Sequence, residues 1–341
     1  MGTQIGDLLE KEKISLEHLQ GRTVAIDAFN TLYQFVSTIR GRDGTPLMDS
    51  KGRITSHLTG MLYRTTNLME KGVRPVFVFD GKPSELKAET REKRSAIRTA
   101  AKEKFELAKK EGREEDARKF ARQSATLSGK MIEEAKELAS LLGVPVVQAP
   151  SEGEAQAAFM CEKGDVFGCV SQDYDSLLFG TPLLFRNIAV SGKRKVPGRN
   201  IYIDVEPERI ELEKTLRILN IDRRKLVWIG ILVGTDFNEK FPKVGPKTAL
   251  KLVQNNDSFE KIVEETGHEP EFDYGDIEKI FLEQKPEENY SLEFREPETE
   301  KIKDFLCAQH DFSEERVSNA LKKIRSKAQE KGSQSDLKKW F

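Results

Sequence analysis

Short apolar runs rich in β-branched residues recur along the first 185 residues, separated by longer stretches with helical spacing. Such runs are typical of buried strands. The predicted strands are Thr23–Asp27, Pro75–Asp80, Val144–Ala149, Val166–Asp173 and Pro182–Phe185. Patterns such as His57–Lys71 and Lys130–Leu142 predict helices between them. The alternation predicts an α/β fold with a mostly parallel central sheet flanked by helices.

The segment Ser84–Arg122 differs from its surroundings, because it is rich in Ala, Glu, Lys and Arg and poor in β-branched residues. Its thin apolar stripe predicts helix that projects from the core, with a break at Gly112. Lys82–Lys130 carries 15 Lys and Arg against 9 acids, although the 341-residue chain has a net charge of only −1. This segment is either a local phosphate-binding surface or simply a solvated, charged helix.

Beyond Asp204 the pattern becomes mainly helical. The predicted helices are Glu206–Leu219, Arg223–Val233, Lys247–Asn255 and Ser313–Ala328. Between the last two, Phe259–Glu300 carries 15 acids against 4 basic residues. Residues 331–341 are predicted to be a flexible polar tail ending in two aromatic residues.

The amino-acid composition disfavours a membrane-spanning segment and a metal site built from cysteine or histidine. No apolar run approaches the roughly 20 residues that span a bilayer, so no membrane association is expected. The three cysteines, Cys161, Cys169 and Cys307, match no zinc or redox spacing, and the four histidines are scattered. A metal in this chain would therefore be held by oxygen ligands, which favours magnesium or manganese over zinc.

Acids follow the predicted strands at the point where each strand ends. Ligands of open α/β sheets bind outside the carboxyl ends of the strands, so these acids are expected to meet at one edge. The set is Asp27, Asp80, Glu152, Glu154, Asp173 and Asp175. Packed carboxylates repel one another and stay ionised together mainly when divalent cations lie among them. Two such cations would stabilise the attacking and leaving oxygens of a phosphate displacement.

Each acid taken alone also has a structural interpretation. Ser151 and Glu154 fit a capping box, and Asp27 and Asp80 could cap the helices that follow them. Asp236 reads by itself as an ordinary loop acid. The repeated placement after strands is what favours a functional site.

A second signal is the turn Phe241–Pro246 with the helix start that follows it. Because Gly245 has no side chain, the protein backbone can approach a phosphate there. The first N–H groups of the following helix lack intrahelical partners and can donate to an anion. Lys243 and Lys247 add positive charge without sequence preference. The alternative is an ordinary helix–helix turn.

A third signal is the C-terminal group of Gln334, Leu337, Trp340 and Phe341. An apolar residue and paired aromatics at one-turn spacing on a polar tail form a portable anchor for a partner protein. The alternative is a terminal helix that folds back on the core.

Together these residues resemble the flap endonucleases, the structure-specific 5′ nucleases of the xeroderma-pigmentosum-G type, and in particular their archaeal members. The resemblance covers nearly the whole chain. Its motifs are Met1–Leu8, Val24–Ala28, Val76–Pro83, Ala149–Gln156, Val170–Leu177, Gly234–Phe237 and Val244–Lys247. Phe29, Asn30 and Phe237 depart from the pattern expected of eukaryotic relatives.

The resemblance implies two Mg²⁺ ions per subunit, with Mn²⁺ able to substitute. The first would be held by Asp80, Glu152 and Glu154 with Asp27 close by, and the second by Asp173, Asp175 and Asp236. Lys87 and Arg94 correspond to the family's active-site bases. The remaining correspondences are DNA contacts at Gly2, Tyr33, Lys243, Gly245 and Lys247, a K⁺ ion at the helix–two-turn–helix motif, and a sliding-clamp (PCNA) box at Gln334, Leu337, Trp340 and Phe341.

The resemblance also implies an organisation. A single nuclease domain would occupy residues 1–330, followed by the clamp-binding tail 331–341. Its parts are an N-terminal motif region (1–98), a projecting helical arch (about 82–130), an internal motif region (about 116–258) that includes the helix–two-turn–helix DNA-binding motif, and a helical C-terminal part (259–330).

The implied activity is cleavage of branched DNA at the base of a 5′ flap, with 5′–3′ exonuclease side activity, in Okazaki-fragment maturation and base excision repair. A monomer is expected, located in the cytoplasm of an archaeon, or in the nucleus if the chain is eukaryotic. Two alternatives remain. A PIN-type RNA nuclease would not need the Gly245 turn or the clamp box, and a clamp-binding DNA adaptor would need no metal. A phosphatase is disfavoured because Asp27–Asn30 lacks the expected Asp-x-Asp.

Overall fold

The computed structural model describes residues 3–41, 43–188, 192–195 and 202–324. The strands in these ranges are β1 (Glu12–Lys13), β2 (Thr23–Asp27), β3 (Arg74–Phe79), β4 (Val146–Gln148), β5 (Gly168–Val170), β6 (Leu183–Arg186), β7 (Gly192–Lys195), β8 (Tyr202–Val205) and β9 (Glu208–Glu211). Seven of them form one sheet in the order β1-β9-β6-β5-β2-β3-β4, and β7 pairs with β8. Neighbours from β6 to β4 are parallel, whereas β9 is antiparallel to β6 and β1. The predicted mostly parallel sheet is confirmed.

Helices lie on both faces of this sheet and beyond one end of it. They are α1 (Ala28–Thr38), α2 (Ser56–Glu70), α3 (Ala88–Lys110), α4 (Glu114–Gln123), α5 (Gly129–Leu141), α6 (Gly153–Glu162), α7 (Asp175–Leu178), α8 (Leu212–Leu219), α9 (Arg223–Val233), α10 (Pro246–Asn255), α11 (Phe259–Thr266), α12 (Tyr274–Leu282) and α13 (Thr299–Lys303), followed by helical residues 314–324. Polar side chains accept hydrogen bonds from first-turn amides that lack intrahelical partners, as Ser128 does at α5 and Asp222 at α9.

The central strands are apolar on both faces. Val24 and Ile26 of β2 pack with α1, α2 and α5, whereas Ala25 packs with α6 on the opposite face. Successive side chains of a strand point to opposite faces, so a sheet covered on both sides needs a continuous apolar run. This explains why the predicted strands showed no polar alternation.

The strands that carry acids are shorter than predicted. Only Gly168–Val170 of the predicted strand Val166–Asp173 is in the ladder, and only Val146–Gln148 of Val144–Ala149. The acids after these strands therefore lie on loops. The predicted helix Glu206–Leu219 is wrong in its first half, because Glu208–Glu211 forms β9. The exposed edge of β6 supplies backbone partners there, and Ile210 is buried against the core.

The charged segment forms two helices, α3 and α4, and the predicted break at Gly112 is confirmed. Gly112 has φ +70, a left-handed conformation that glycine adopts without steric cost. The two helices share a small core of their own, made by Phe105, Ala108, Ala117 and Ala121. This core is separate from those that cover the sheet.

The C-terminal part is less helical than predicted. After α12, the chain up to Glu298 is irregular, and Tyr290, Leu292 and Phe294 pack beside β4 and α6. The Arg295 amide donates to the carbonyl of Gly143 at 3.0 Å, which ties this segment to the loop before β4. Among the described residues, no helix is long and apolar enough to cross a membrane.

Candidate nuclease active site

The acids meet at one edge because β5, β2, β3 and β4 are parallel neighbours. The chain runs from β2 outward to β3 and β4, and then returns to the other side of β2 as β5. The strand order therefore reverses between β2 and β5, which is where open α/β sheets bind ligands. Asp27 ends β2 at this point, and Asp173 follows β5.

Asp27 is buried at this edge. Its carboxylate accepts the Asn30 amide at 3.0 Å and the Ser171 hydroxyl at 3.2 Å. Burial raises the pKa of Asp27 to about 8, and the negative charges of Asp80 and Asp173 act in the same direction. Asp27 therefore caps α1, as the structural interpretation proposed, and also lies against two other acids.

Asp80 is held by the start of α6 rather than by the helix that follows it. Its Oδ1 accepts the Gly153 amide at 2.7 Å. A Cβ on Gly153 would lie 2.7 Å from the same oxygen, so any other residue there would force the Asp80 carboxylate to shift. Burial raises the pKa of Asp80 to about 6, with repulsion from Glu152 as the next contribution.

Glu154 does not form the capping box that Ser151 suggested. Its carboxylate instead accepts hydroxyls of Ser176 at 2.6 Å and Ser171 at 3.2 Å. Burial raises its pKa well above the usual range, and the charges of Asp27 and Asp175 add to the effect. Glu154 is thus bound into the acid cluster.

Asp175 opens α7 and is held by the N-terminal segment. The amide of Thr3 donates to its Oδ1 at 2.7 Å, and the Thr3 hydroxyl bonds to the same oxygen. Burial raises the pKa of Asp175 to about 6, and Asp236 contributes repulsion. Thr3 and Asp175 are both buried.

Two cations of the charged segment reach the acids. Lys87, just before α3, forms an ion pair with Glu152, and Arg94 of α3 forms one with Asp236. Burial opposes the charge on Lys87, but its bond to Glu152 and the nearby Asp236 and Asp80 raise its pKa above the usual value. All seven predicted acids and both predicted bases therefore belong to one connected cluster.

The donor set suits a hard divalent cation. It consists of carboxylate oxygens, and burial followed by mutual repulsion raises the pKa values of Asp27, Asp80, Glu154 and Asp175, two costs that such a cation would offset. Among the described residues, no group of three or more histidine, cysteine or carboxylate side chains is arranged to hold a metal ion as it stands. The acids are instead drawn toward Lys87, Arg94 and neighbouring hydroxyls.

Comparison with known proteins identifies the family. A family model of the XPG N-terminal domain matches residues 3–101, and one of the XPG I-region matches residues 143–236. Flap endonuclease 1 of Pyrococcus abyssi is 52% identical over 343 residues, covering 100% of this chain and 98% of the relative. The chain belongs to the flap endonuclease 1 family. The predicted family and enzyme class are confirmed.

Solved structures agree. The structure of flap endonuclease-1 from Methanococcus jannaschii has a TM-score of 0.74 at 42% identity, covering 95% of this chain and 98% of that one. The catalytic core of Rad2 in complex with DNA substrate has a TM-score of 0.67 at 22% identity, covering 94% and 97%. The Rad2 likeness shows a shared fold. The two family models include all seven acids of this flap endonuclease, with Asp236 at the end of the I-region match.

Of the residues predicted to contact DNA, the structure describes Tyr33, Lys243, Gly245 and Lys247. Gly245 caps α10 with φ −103, so the turn does not require a glycine there, and a Cβ would meet nothing within 4 Å. The left-handed residue of this turn is Lys243, with φ 60. Lys243 and Lys247 are exposed. Tyr33 lies on α1 beneath Arg98, whose guanidinium is 5.3 Å from the ring centre.

Gly2 and the four predicted clamp-binding residues lie outside the described residues. Sequence reasoning missed the residues that hold the acids in place, namely Thr3, Asn30, Ser171 and Ser176. Thr3, Ser171 and Ser176 lie inside the quoted motifs, and Asn30 lies two residues beyond one of them. A short polar residue within three positions of a strand-terminal acid was the signal available for Asn30 and Ser171.

Proposed function

We propose that this flap endonuclease cleaves DNA phosphodiesters at single-strand/duplex junctions by two-metal hydrolysis. The observation that carries the proposal is the convergence of six carboxylates that end or follow strands β2 to β5 with Asp236, which follows α9, and with Lys87 and Arg94 reaching among them. Buried, mutually repelling acids are costly unless cations neutralise them.

Asp80, Glu152 and Glu154, with Asp27 beside them, would hold one Mg²⁺, and Asp173, Asp175 and Asp236 the other. Mn²⁺ has similar ligand preferences and would substitute. When bound, the ions would lower the pKa of the attacking water and stabilise the leaving oxygen. Attack of water with breakage of the bond between phosphorus and the 3′ oxygen would leave a 5′-phosphate on one product and a 3′-hydroxyl on the other.

Lys87 and Arg94 would neutralise charge that develops on the phosphate. Both are paired with acids in this structure, so binding of a phosphate requires each to exchange a carboxylate for a phosphate oxygen. Lys87 also lies 4.8 Å from the centre of the Phe237 ring, which limits its movement. Arg94 lies on α3 and Lys87 directly precedes it, and the α3–α4 hairpin would form the arch through which a 5′ single strand passes.

The α9–α10 turn would grip the phosphates of the duplex. Gly245 is open to a backbone approach, α10 begins there, and Lys243 and Lys247 flank the turn. The turn Val244–Lys247 would hold a K⁺ ion, which would supply further positive charge for a duplex phosphate. Tyr33 would stack on a base near the scissile phosphate, after displacement of Arg98.

Gln334, Leu337, Trp340 and Phe341 would bind the sliding clamp and place the nuclease at replication forks and repair sites. Roles in Okazaki-fragment maturation and base excision repair, 5′–3′ exonuclease side activity, a monomeric state and a cytoplasmic location complete the proposal. The double variant Trp340→Ala and Phe341→Ala should cut flaps normally but lose stimulation by the clamp. Equal stimulation of variant and wild type would remove the clamp role.

The central test incubates the full chain with DNA bearing a 5′ flap, in Mg²⁺ or in EDTA. Asp173→Ala is compared with Asp257→Ala, which replaces an exposed aspartate that is not one of the seven clustered acids. Incision at the flap base that needs both Mg²⁺ and Asp173 supports the proposal. Cutting of RNA alone would indicate a PIN-type nuclease, and DNA binding without incision would indicate an adaptor.

A further inference from the structure

Asn30 lies in the first turn of α1, directly over the reversal of strand order between β2 and β5. Its backbone amide donates to Asp27 Oδ1 at 3.0 Å. Its side-chain Nδ2 donates to Asp173 Oδ2 at 2.7 Å, across 143 positions of sequence. One residue therefore connects the acid that ends β2 with the acid that follows β5.

The oxygen of the Asn30 side-chain amide also forms a hydrogen bond. Its Oδ1 accepts the backbone amide of Gln172 at 3.3 Å. A side chain that donates to a carboxylate and accepts from the adjacent backbone amide needs one donor and one acceptor at fixed separation, which the planar amide of asparagine provides. With the amide reversed, oxygen would face the Asp173 carboxylate and NH₂ would face the Gln172 N–H.

The hydrogen bond from Asn30 holds one particular oxygen of Asp173, Oδ2, in place. The bond from Asn30 occupies one side of Asp173 Oδ2, and the Asp173 backbone amide donates to Ser171 Oγ at 3.2 Å. The loop after β5 is thus held by α1 through Asn30 and by its own serine. Without Asn30, the like charge on Asp27 would favour rotation of the Asp173 side chain away from the cluster.

We propose that Asn30 is a positioning residue that fixes the Asp173 carboxylate relative to Asp27 and so preorganises the cluster for divalent cations. This inference rests on the proposed metal-dependent function. Asn30 acts through Asp173 and need not touch substrate. Partners that orient metal ligands typically contribute roughly 10- to 100-fold to metal affinity.

The test measures Mn²⁺ binding to the full chain without DNA, from the electron paramagnetic resonance signal of free Mn²⁺. Asn30→Ala should raise the Mn²⁺ dissociation constant roughly 10-fold or more. Asn67→Ala is the matched control, because Asn67 lies on α2 and its side chain accepts from Lys323 at 2.9 Å. Its Mn²⁺ affinity should equal that of wild type.

Activity gives a second reading of the same variants. Asn30→Ala should need roughly 10-fold more Mg²⁺ for half-maximal incision, while KM for flap DNA stays unchanged and kcat recovers at saturating Mg²⁺. Alanine favours helix, so α1 should form, which circular dichroism checks. Asn30→Ser, too short to reach Asp173 but favourable near a helix start, should behave alike if alanine misfolds.

The outcomes separate the two proposals. If wild type binds Mn²⁺ and both Asn30 variants bind it equally well, the positioning role is overturned while the metal-dependent function stands. If wild type itself binds no Mn²⁺, the proposed function fails and the role of Asn30 fails with it. Weakened Mn²⁺ binding in the Asn30 variants but not in Asn67→Ala supports the inference.

Discussion

Two buried polar clusters of this molecule are built in opposite ways. In the active site, Asp27, Glu154 and Asp175 lie close together, and burial with mutual repulsion raises their pKa values. Beside α2 and α5, in contrast, the carboxylates lie against an arginine and against histidines. Arg53 pairs with Asp49 at 2.6 Å, and His57 Nε2 lies 3.0 Å from Glu134 Oε2.

The second cluster joins distant segments of chain. Arg53 donates to the carbonyl of Gln309, and Ser50 donates its amide to Asp311 at 2.7 Å. His310 lies 3.8 Å from the same Glu134 that contacts His57. The acids of this cluster lie against an arginine and histidines, whereas several acids of the candidate active site lie against one another. The difference teaches that like charges buried together cost stability, a cost that the proposed divalent cations would offset.

The largest expected effect comes from neutralising one active-site acid. Asp27→Asn keeps the cap of α1 but removes a charge, so kcat should fall about 10³-fold or more. In EDTA the variant should be about 1–2 kcal/mol more stable, because a repelling buried carboxylate is gone. Flap incision and urea unfolding measure the two effects, with Asp257→Asn as control. A less stable variant would contradict the comparison.

The converse change breaks the second cluster. Arg53→Met leaves Asp49 buried without its partner, so the unfolding midpoint should fall by about 5 °C. The kcat at saturating DNA should stay near that of wild type, since Arg53 lies outside the cluster of active-site acids. Differential scanning calorimetry gives the midpoint. An unchanged midpoint would show that this ion pair contributes little.

The histidine at the centre of this cluster predicts a pH dependence. Burial lowers the pKa of His57 from its ordinary 6.5 to about 4, and among described residues its Nδ1 has no hydrogen-bond partner. The unfolded chain takes up a proton below pH 6.5 that the folded chain refuses until about pH 4. Stability is therefore full above pH 6.5 and should fall by about 2 kcal/mol toward pH 4.5.

His57→Gln cannot be protonated, so the difference in unfolding free energy between pH 7.5 and 4.5 should shrink by about that same 2 kcal/mol. Urea unfolding at both pH values measures it. His18→Gln is the control, since that histidine is exposed. Equal pH dependence of wild type and His57→Gln would assign the acid sensitivity to other groups.

The smallest effect should come from a charge pair outside both clusters. Arg217 and Glu213 of α8 are separated by 2.8 Å, with 74% and 89% of their side chains exposed. Arg217→Ala should change the free energy of unfolding by less than about 0.5 kcal/mol. Urea unfolding measures this change. A larger loss of unfolding free energy would mean that solvent exposure does not explain why the Arg217–Glu213 pair contributes less than the Arg53–Asp49 pair.

Much of the active site was predictable because its signal is local. An apolar run followed by an acid predicts where Asp27, Asp80 and Asp173 lie, since parallel strands end at a common edge. The family motifs add Asp236, Lys87 and Arg94. The Gly245 turn was located correctly, although the left-handed residue is Lys243 rather than the glycine.

The remainder depended on pairings between distant positions. The sequence around Glu208 gives no sign that the edge of β6 is free to pair with it. The local pattern therefore predicts helix where strand β9 lies. Thr3 meets Asp175 across 172 positions, and Asn30 meets Asp173 across 143. Such contacts exist only after β5 takes its place beside β2, on the side opposite β3.

The sequence by itself thus determined the fold class, the acids and their chemistry, because hydrophobic periodicity and strand-end position are properties of neighbouring residues. Only the tertiary structure decided which acids repel one another and which side chains hold them. Burial and charge separation are set by packing, and they convert ordinary aspartates into a cluster with raised pKa values.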